Sequence, residues 1–204
     1  MADEQEKVNQ FALPHGLTGR LSGRLMAVVN ADMERAAVSA LDLEGDERVL
    51  EVGFGPGVGI RLLSGRLPRG AVEGIDPSGV MLTQAVRRNR KAVAQGRVEL
   101  RLGTSAHLPW PDGRFDAVVS VNNVQEWPSL APDLAEVRRV LEEHGQLSIA
   151  VHEWVAKHAR DRGDEDRPYA EHLVTALERA GFHAVEGTRR RARSGRALYF
   201  TARR

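Results

Sequence analysis

The chain contains no cysteine. Disulfides, thiolate metal sites and a cysteine nucleophile are therefore excluded. Lysine is nearly as scarce. Lys7, Lys91 and Lys157 are the only three among 29 basic residues, and the rest are arginine. A bias spread over the whole chain fits GC-rich coding, and it lowers the weight of any one arginine cluster. No apolar run approaches the roughly 18 residues of a membrane-spanning helix. The opening residues, Met1 to Glu6, are acidic and lack the apolar stretch of a secretory leader. Together these absences predict a cytoplasmic protein with no membrane span. One-sided charge is missing too: 29 basic residues against 28 acidic ones leave a net +1. Nothing in that balance draws the whole molecule toward nucleic acid or an anionic surface.

What is there is a length of 204 residues, enough for one domain with a sizeable core. Residues 1–44 read as a helical lead-in. Leu21, Leu25, Val28, Val29, Met33, Ala36, Ala37 and Ala40 recur at helical steps, while Gly16, Gly19 and Gly23 predict a late start or a break. From residue 45 onward strands alternate with helices. Strands are predicted at Arg48 to Val52, Ala71 to Ile75, Val98 to Leu102, Phe115 to Val121 and Gln146 to Val151. Helices are predicted at Val58 to Leu67, from an N-cap at Ser78 to about Ala94, at Leu130 to Leu141 and at Tyr169 to Ala180. Such alternation implies parallel strands with right-handed crossovers and helices on both faces. Two final strands, about Ala184 to Arg190 and Arg196 to Thr201, are joined by a turn at Ser194 and Gly195. That connection is too short for a crossover, so they form an antiparallel hairpin. The most polar stretch, Arg160 to Arg167, reads as an exposed loop.

Residues 51–60 read E-V-G-F-G-P-G-V-G-I, with glycine at 53, 55, 57 and 59 directly after the first strand. In an open α/β sheet, ligands bind beyond the carboxyl ends of the strands where strand order reverses. A dinucleotide fingerprint G-x-G-x-x-G would need a third glycine at Val58 or Ile60, and both positions fail. A glycine-rich turn without a ligand is the plainer alternative.

V-L-E-V-G-F-G-P-G resembles the cofactor loop of class I S-adenosylmethionine-dependent methyltransferases, of the small-molecule, type 11-like kind. The resemblance runs from about Gly45 to Arg204 and implies a Rossmann-like doubly wound sheet of seven strands. Its implied order is 3-2-1-4-5-7-6, mostly parallel with an antiparallel C-terminal hairpin. It also implies the site. The methionine arm of the cofactor carries a carboxylate and an ammonium. Gly53, Gly55 and Gly57 let backbone N–H groups and a helix N-terminus approach the carboxylate. Glu51 receives the ammonium, directly or through water. Asp76, followed by Pro77, holds ribose hydroxyls at the end of the second strand, where the bland reading is a turn opener. In G-T-S-A-H-L-P-W, Thr104 stands where the family commonly has an aspartate for the adenine amino group, and Ser105 offers its backbone N–H to the ring. Asn122, Asn123 and Glu126 fall beside the methyl group.

The implied activity is methyl transfer to a small-molecule acceptor, with S-adenosylhomocysteine as product and no metal. His152, just after the fifth core strand, is the first candidate for a general base because histidine titrates near neutrality. Glu153, Glu126, His107 and His15 are weaker candidates. Although His152 to His158 approximates H-E-x-x-H, the second histidine is two positions late. Segment 16–30 resembles lead-ins that cover the cofactor. Trp110, Trp127 and Trp154 could wall a pocket or simply pack. The expected assembly is a monomer or homodimer. The alternatives are an RNA methyltransferase, drawing on the basic terminal region Arg189, Arg190, Arg191, Arg193, Arg196, Arg203 and Arg204, a non-methylating cofactor binder or enzyme of another reaction type on the same fold, and a nicotinamide dehydrogenase.

Overall fold

The computed structural model describes residues 30–159, 168–193 and 195–204. Expectations for residues 1–29, including His15, for the polar stretch at residues 160–167 and for Ser194 lie outside the described residues.

Helix α1 (Ala31–Ser39) is followed by β1 (Arg48–Val52), α2 (Val58–Arg66), β2 (Ala71–Asp76), α3 (Gly79–Arg88), α4 (Arg90–Ala94) and β3 (Val98–Leu102). After β4 (Phe115–Val121) come a short 3-10 turn (Val124–Glu126), α5 (Leu130–Val140) and β5 (Leu141–His152). The chain closes with α6 (Glu153–Ala156), α7 (Tyr169–Arg179), β6 (His183–Ala192) and β7 (Gly195–Arg203). The seven strands form one sheet in the order β3-β2-β1-β4-β5-β7-β6. Pairs from β3 to β5 are parallel, and β7 runs antiparallel to both β5 and β6.

Each face of the sheet has its own apolar layer. Leu130, Leu134, Val137 and Val140 recur at helical spacing and turn one stripe of α5 onto the sheet. With Leu173 and Leu177 of α7 they cover Leu147, Ile149, Leu198 and Phe200. On the other face, Met33, Ala37 and Val38 of α1 join Ile60 and Leu63 of α2, Met81 and Ala85 of α3, and Val49, Ala117, Val119 and Ala150 of the strands. β1 and β4, apolar on both sides, are buried almost throughout, as central parallel strands must be.

Three elements differ from the sequence-based expectation. The helix opened by Ser78 breaks at Asn89. Its side chain donates to Ala85 O at 2.9 Å and across to Gly57 O at 3.0 Å, so the break ties this helix to the glycine loop. β5 begins at Leu141, five residues early, because Leu141 pairs with Phe115 before an irregularity resets the register to Ala117↔Gln146. β6 and β7 extend to Ala192 and Gly195, so the hairpin is longer than its apolar pattern suggested.

Candidate functional site

The strand order reverses between β1 and β4, and the glycine loop leaves β1 at that point. Gly53, Gly55 and Gly57 all have positive φ, at 78°, 48° and 79°, which side-chain-bearing residues rarely adopt. Close approach constrains two of them further. A Cβ on Gly53 would lie 2.2 Å from the Asn123 side chain, and one on Gly57 would lie 2.7 Å from Ala85 Cβ. At Gly55 nothing among the described residues lies within 4 Å. That side of the loop therefore opens onto free space beside the N-terminus of α2.

Asp76 fixes the loop from the neighbouring strand. Its Oδ2 accepts the Gly55 N–H at 2.8 Å, and its Oδ1 accepts the Ser78 N–H at 2.8 Å. Burial raises its pKa, and those two hydrogen bonds pull it back. Each oxygen keeps further acceptor capacity, so opening the turn and receiving ribose hydroxyls are compatible. Pro77 is exposed beside it. Leu102 pairs with Asp76 in the ladder and is 56% exposed. It is an apolar surface next to Thr104, which is exposed, and Ser105, which is buried. Sequence reasoning passed over Leu102 because one strand-end leucine carries no pattern.

Glu51 is fully buried on β1. Its Oε1 would lie 2.3 Å from a Cβ on Gly59, and Glu34 Oε2 would lie 2.6 Å from the same point. The two oxygens are therefore within 4.9 Å of each other, the sum of those distances. Among the described residues neither Glu51 oxygen, and not Glu34 Oε2, makes a hydrogen bond of good geometry, and the Ile60 N–H is the backbone donor that bears on Glu51. Burial lifts the Glu34 pKa to about 8. Burial, then the negative fields of Glu34 and Asp76, hold Glu51 well above the ordinary carboxylate range, against the pull of the Ile60 N–H. Glu34 was not singled out from the sequence. The available signal was a carboxylate on the apolar stripe of α1, at helical spacing from Ala37, Val38 and Leu41.

The ends of β4 and β5 meet through Asn122, whose φ is 52°. Its N–H donates to Ala150 O at 2.6 Å, its Oδ1 accepts the His152 N–H at 3.2 Å, and its carbonyl accepts from Gln125 Nε2 at 2.8 Å. Asn123 turns over Gly53 and accepts from Trp127 Nε1 at 2.7 Å. His152 is buried, and Trp154, 52% exposed, stacks 6.0 Å away. Burial lowers the His152 pKa, against a bond to the Arg196 backbone and the field of Asp32, so its ring is neutral at neutral pH.

Other candidates are placed differently. Glu153 is ion-paired with Arg189 at 2.8 Å. His107 is exposed on the segment after β3. Glu126 is half-buried in the 3-10 turn. Trp110 is a core residue, edge-on to Phe115 at 5.4 Å and bonded to Glu73, and Trp127 is buried. Of the three tryptophans, Trp154 alone presents a wide face to solvent. In the basic run, Arg190 lies over the Tyr199 ring at 5.9 Å. Among the described residues no three histidine or carboxylate side chains converge as a metal site, and no helix is long and apolar enough to cross a membrane.

Residues 49–145 match the protein family described as "Methyltransferase domain". A Bacillus subtilis (strain 168) protein named as a methyltransferase, YrhH, is 30% identical over 58% of this chain and 65% of its own length. The malonyl-[acyl-carrier protein] O-methyltransferase of Geobacter sulfurreducens is 34% identical over 78% of this chain and 65% of its own length. The chain thus spans just under two thirds of each of these relatives. Among solved structures, a SAM-dependent methyltransferase from Aquifex aeolicus superposes with a TM-score of 0.69 at 24% identity, covering 87% of this chain and 92% of that one. That likeness shows the fold.

Proposed function

We propose that this chain is a class I S-adenosylmethionine-dependent methyltransferase, the family that residues 49–145 and the fold resemble, and that it transfers a methyl group to a small-molecule acceptor. One observation carries the reading. Among the described residues, the glycine loop opens at Gly55 beside the N-terminus of α2, is held by the Gly55–Asp76 hydrogen bond, and lies beside a buried acid, Glu51, whose oxygens make no hydrogen bond of good geometry. Such an arrangement has N–H groups for a carboxylate, an acceptor for an ammonium and an acceptor for hydroxyls.

When bound, S-adenosylmethionine supplies a methyl group on a sulfonium centre that is already a good leaving group. The chain's own part is chiefly alignment, which can contribute several kcal/mol. Gly53, Gly55 and Gly57 hold the carboxylate end. Glu51 receives the ammonium. Asp76 receives ribose hydroxyls. Leu102, Thr104 and Ser105 border the adenine end. Asn122 and Asn123 set the wall nearest the transferred group, and Trp154 offers an apolar face to the acceptor. His152, neutral and at the same edge, is the group to take a proton from an acceptor that arrives protonated.

The likeness to an O-methyltransferase of malonyl-[acyl-carrier protein] supports an acceptor other than nucleic acid. Engagement of Arg189 by Glu153 and of Arg190 by Tyr199 points the same way. The test is a panel of small acyl, amine, phenol and quinol acceptors with S-adenosylmethionine, scored by S-adenosylhomocysteine formed, with RNA included. Turnover on at least one small acceptor and none on RNA is expected. Turnover confined to RNA, or tight cofactor binding with no turnover across the panel, would replace this reading by one of its rivals.

A further inference from the structure

Glu34 and Glu51 come from separate elements, α1 and β1, yet their carboxyl oxygens converge over Gly59 of α2. Two carboxylates this close and this buried do not both ionise without a cation between them. No such cation faces them among the described residues. α2 contributes only backbone N–H. Its Arg61 is exposed, and Arg66 bonds Val38 O at the far end of α1. β2 contributes Asp76, a third acid whose oxygens already accept two N–H groups. On β1, Arg48 is exposed at the opposite edge, and Asp116 of β4 accepts its N–H there. His152 of β5 is neutral. On α1 itself, Asp32 is bonded to the N–H groups of Met33 and Arg193. A Cβ at position 59 would fall onto both carboxyls, so the missing side chain is what lets them meet.

We propose that Glu34 and Glu51 act as one acid pair holding a single shared proton, and that the ammonium of the cofactor replaces that proton on binding. Glu34 is then a positioning residue for the amino-acid arm, acting through Glu51. The inference rests on the methyltransferase reading and adds a proton balance to it: one ammonium enters, one proton leaves to solvent, and the pair goes from one negative charge to two, matched by the cation. Oxygens that make no hydrogen bond of good geometry among the described residues become acceptors for the three ammonium N–H donors.

Calorimetric titration with S-adenosylhomocysteine at pH 7.5, in phosphate and in Tris, reads the proton balance from the difference in heat between buffers of unlike ionisation enthalpy. About one proton released per ligand bound is expected for the unaltered chain. 5′-Methylthioadenosine, which lacks the amino-acid arm, should bind with none released. Glu34→Gln should still bind S-adenosylhomocysteine, with clearly less release, because Glu51 then loses the field of Glu34 while keeping its burial. Glu51→Gln should lose both the release and at least tenfold in affinity. Binding without proton release, equal release with 5′-methylthioadenosine, or full release from Glu34→Gln overturns the shared-proton pair and leaves the methyltransferase reading intact. Failure of the unaltered chain to bind S-adenosylhomocysteine overturns both.

Discussion

Asp76 accepts two backbone N–H groups, one from the glycine loop and one from the turn that opens α3. Its carboxylate therefore serves the fold before any ligand arrives. Removing it leaves the Gly55 and Ser78 N–H groups without acceptors in a mostly buried setting, and such losses cost about 1–3 kcal/mol. Asp76→Ala should accordingly lower stability in urea denaturation by about that amount and weaken S-adenosylhomocysteine binding tenfold or more. Asp76→Asn, which keeps one acceptor oxygen, should recover part of the stability and little of the affinity. Equal affinity in all three proteins would mean that Asp76 only opens the turn. Asn123 shows the same double use. It seats Trp127 with its Oδ1 and presses on the backbone at Gly53, which is why that position has no room for a side chain.

At the scale of elements, the loop between β1 and α2 is held by different means along its length. Gly57 is packed under α3, with Asn89 clamping its carbonyl, while Gly55 faces space left open by the described residues. The same substitution should therefore have opposite consequences two residues apart. Gly57→Ala adds overpacking against Ala85, a class of change costing about 1–3 kcal/mol, to the strain of positive φ. Gly55→Ala incurs only the conformational penalty, about 1–2 kcal/mol, but puts a methyl group into the space the ligand needs. Urea denaturation should rank Gly57→Ala as less stable. Calorimetry should rank Gly55→Ala as the weaker binder of S-adenosylhomocysteine relative to its stability. A Gly55→Ala protein with unchanged affinity would mean that the open side of the loop is not the binding side.

For the whole molecule, the consequence is a pH dependence of folding. α1 lies across β4, β5 and α2 and carries Glu34 into the layer between helix and sheet. Burial raises the Glu34 pKa from its ordinary 4.5 to about 8. Between those values the folded chain holds a proton that the unfolded chain has released, so stability falls as pH rises through this window. Its contribution is fully present below pH 4.5 and is lost as pH passes about 8. Without ligand, the protein should melt at a lower temperature at pH 9 than at pH 6.5. Glu34→Gln, neutral throughout, should flatten that part of the profile, and S-adenosylhomocysteine should do the same by bringing its own cation. A profile identical in the parent and in Glu34→Gln would remove Glu34 as its source.

The sequence by itself determined the element order, the strand limits of β1, β3 and β4, and the glycine loop with its acids at 51 and 76. These features rest on short-range rules: periodicity, turn chemistry and residues fixed at definite offsets within one strand-loop-helix unit. It also gave a count of seven strands, and the family resemblance supplied their order. Only the tertiary structure brought Glu34 to Glu51, reached from Asn89 back to Gly57, put Trp110 in the core and left Trp154 outside. Each of these is a meeting of residues far apart in the chain, set by which face of a helix lands on which strand. Local pattern carries no record of that choice, because packing energy depends on the partner surface and not on the spacing of residues along one segment.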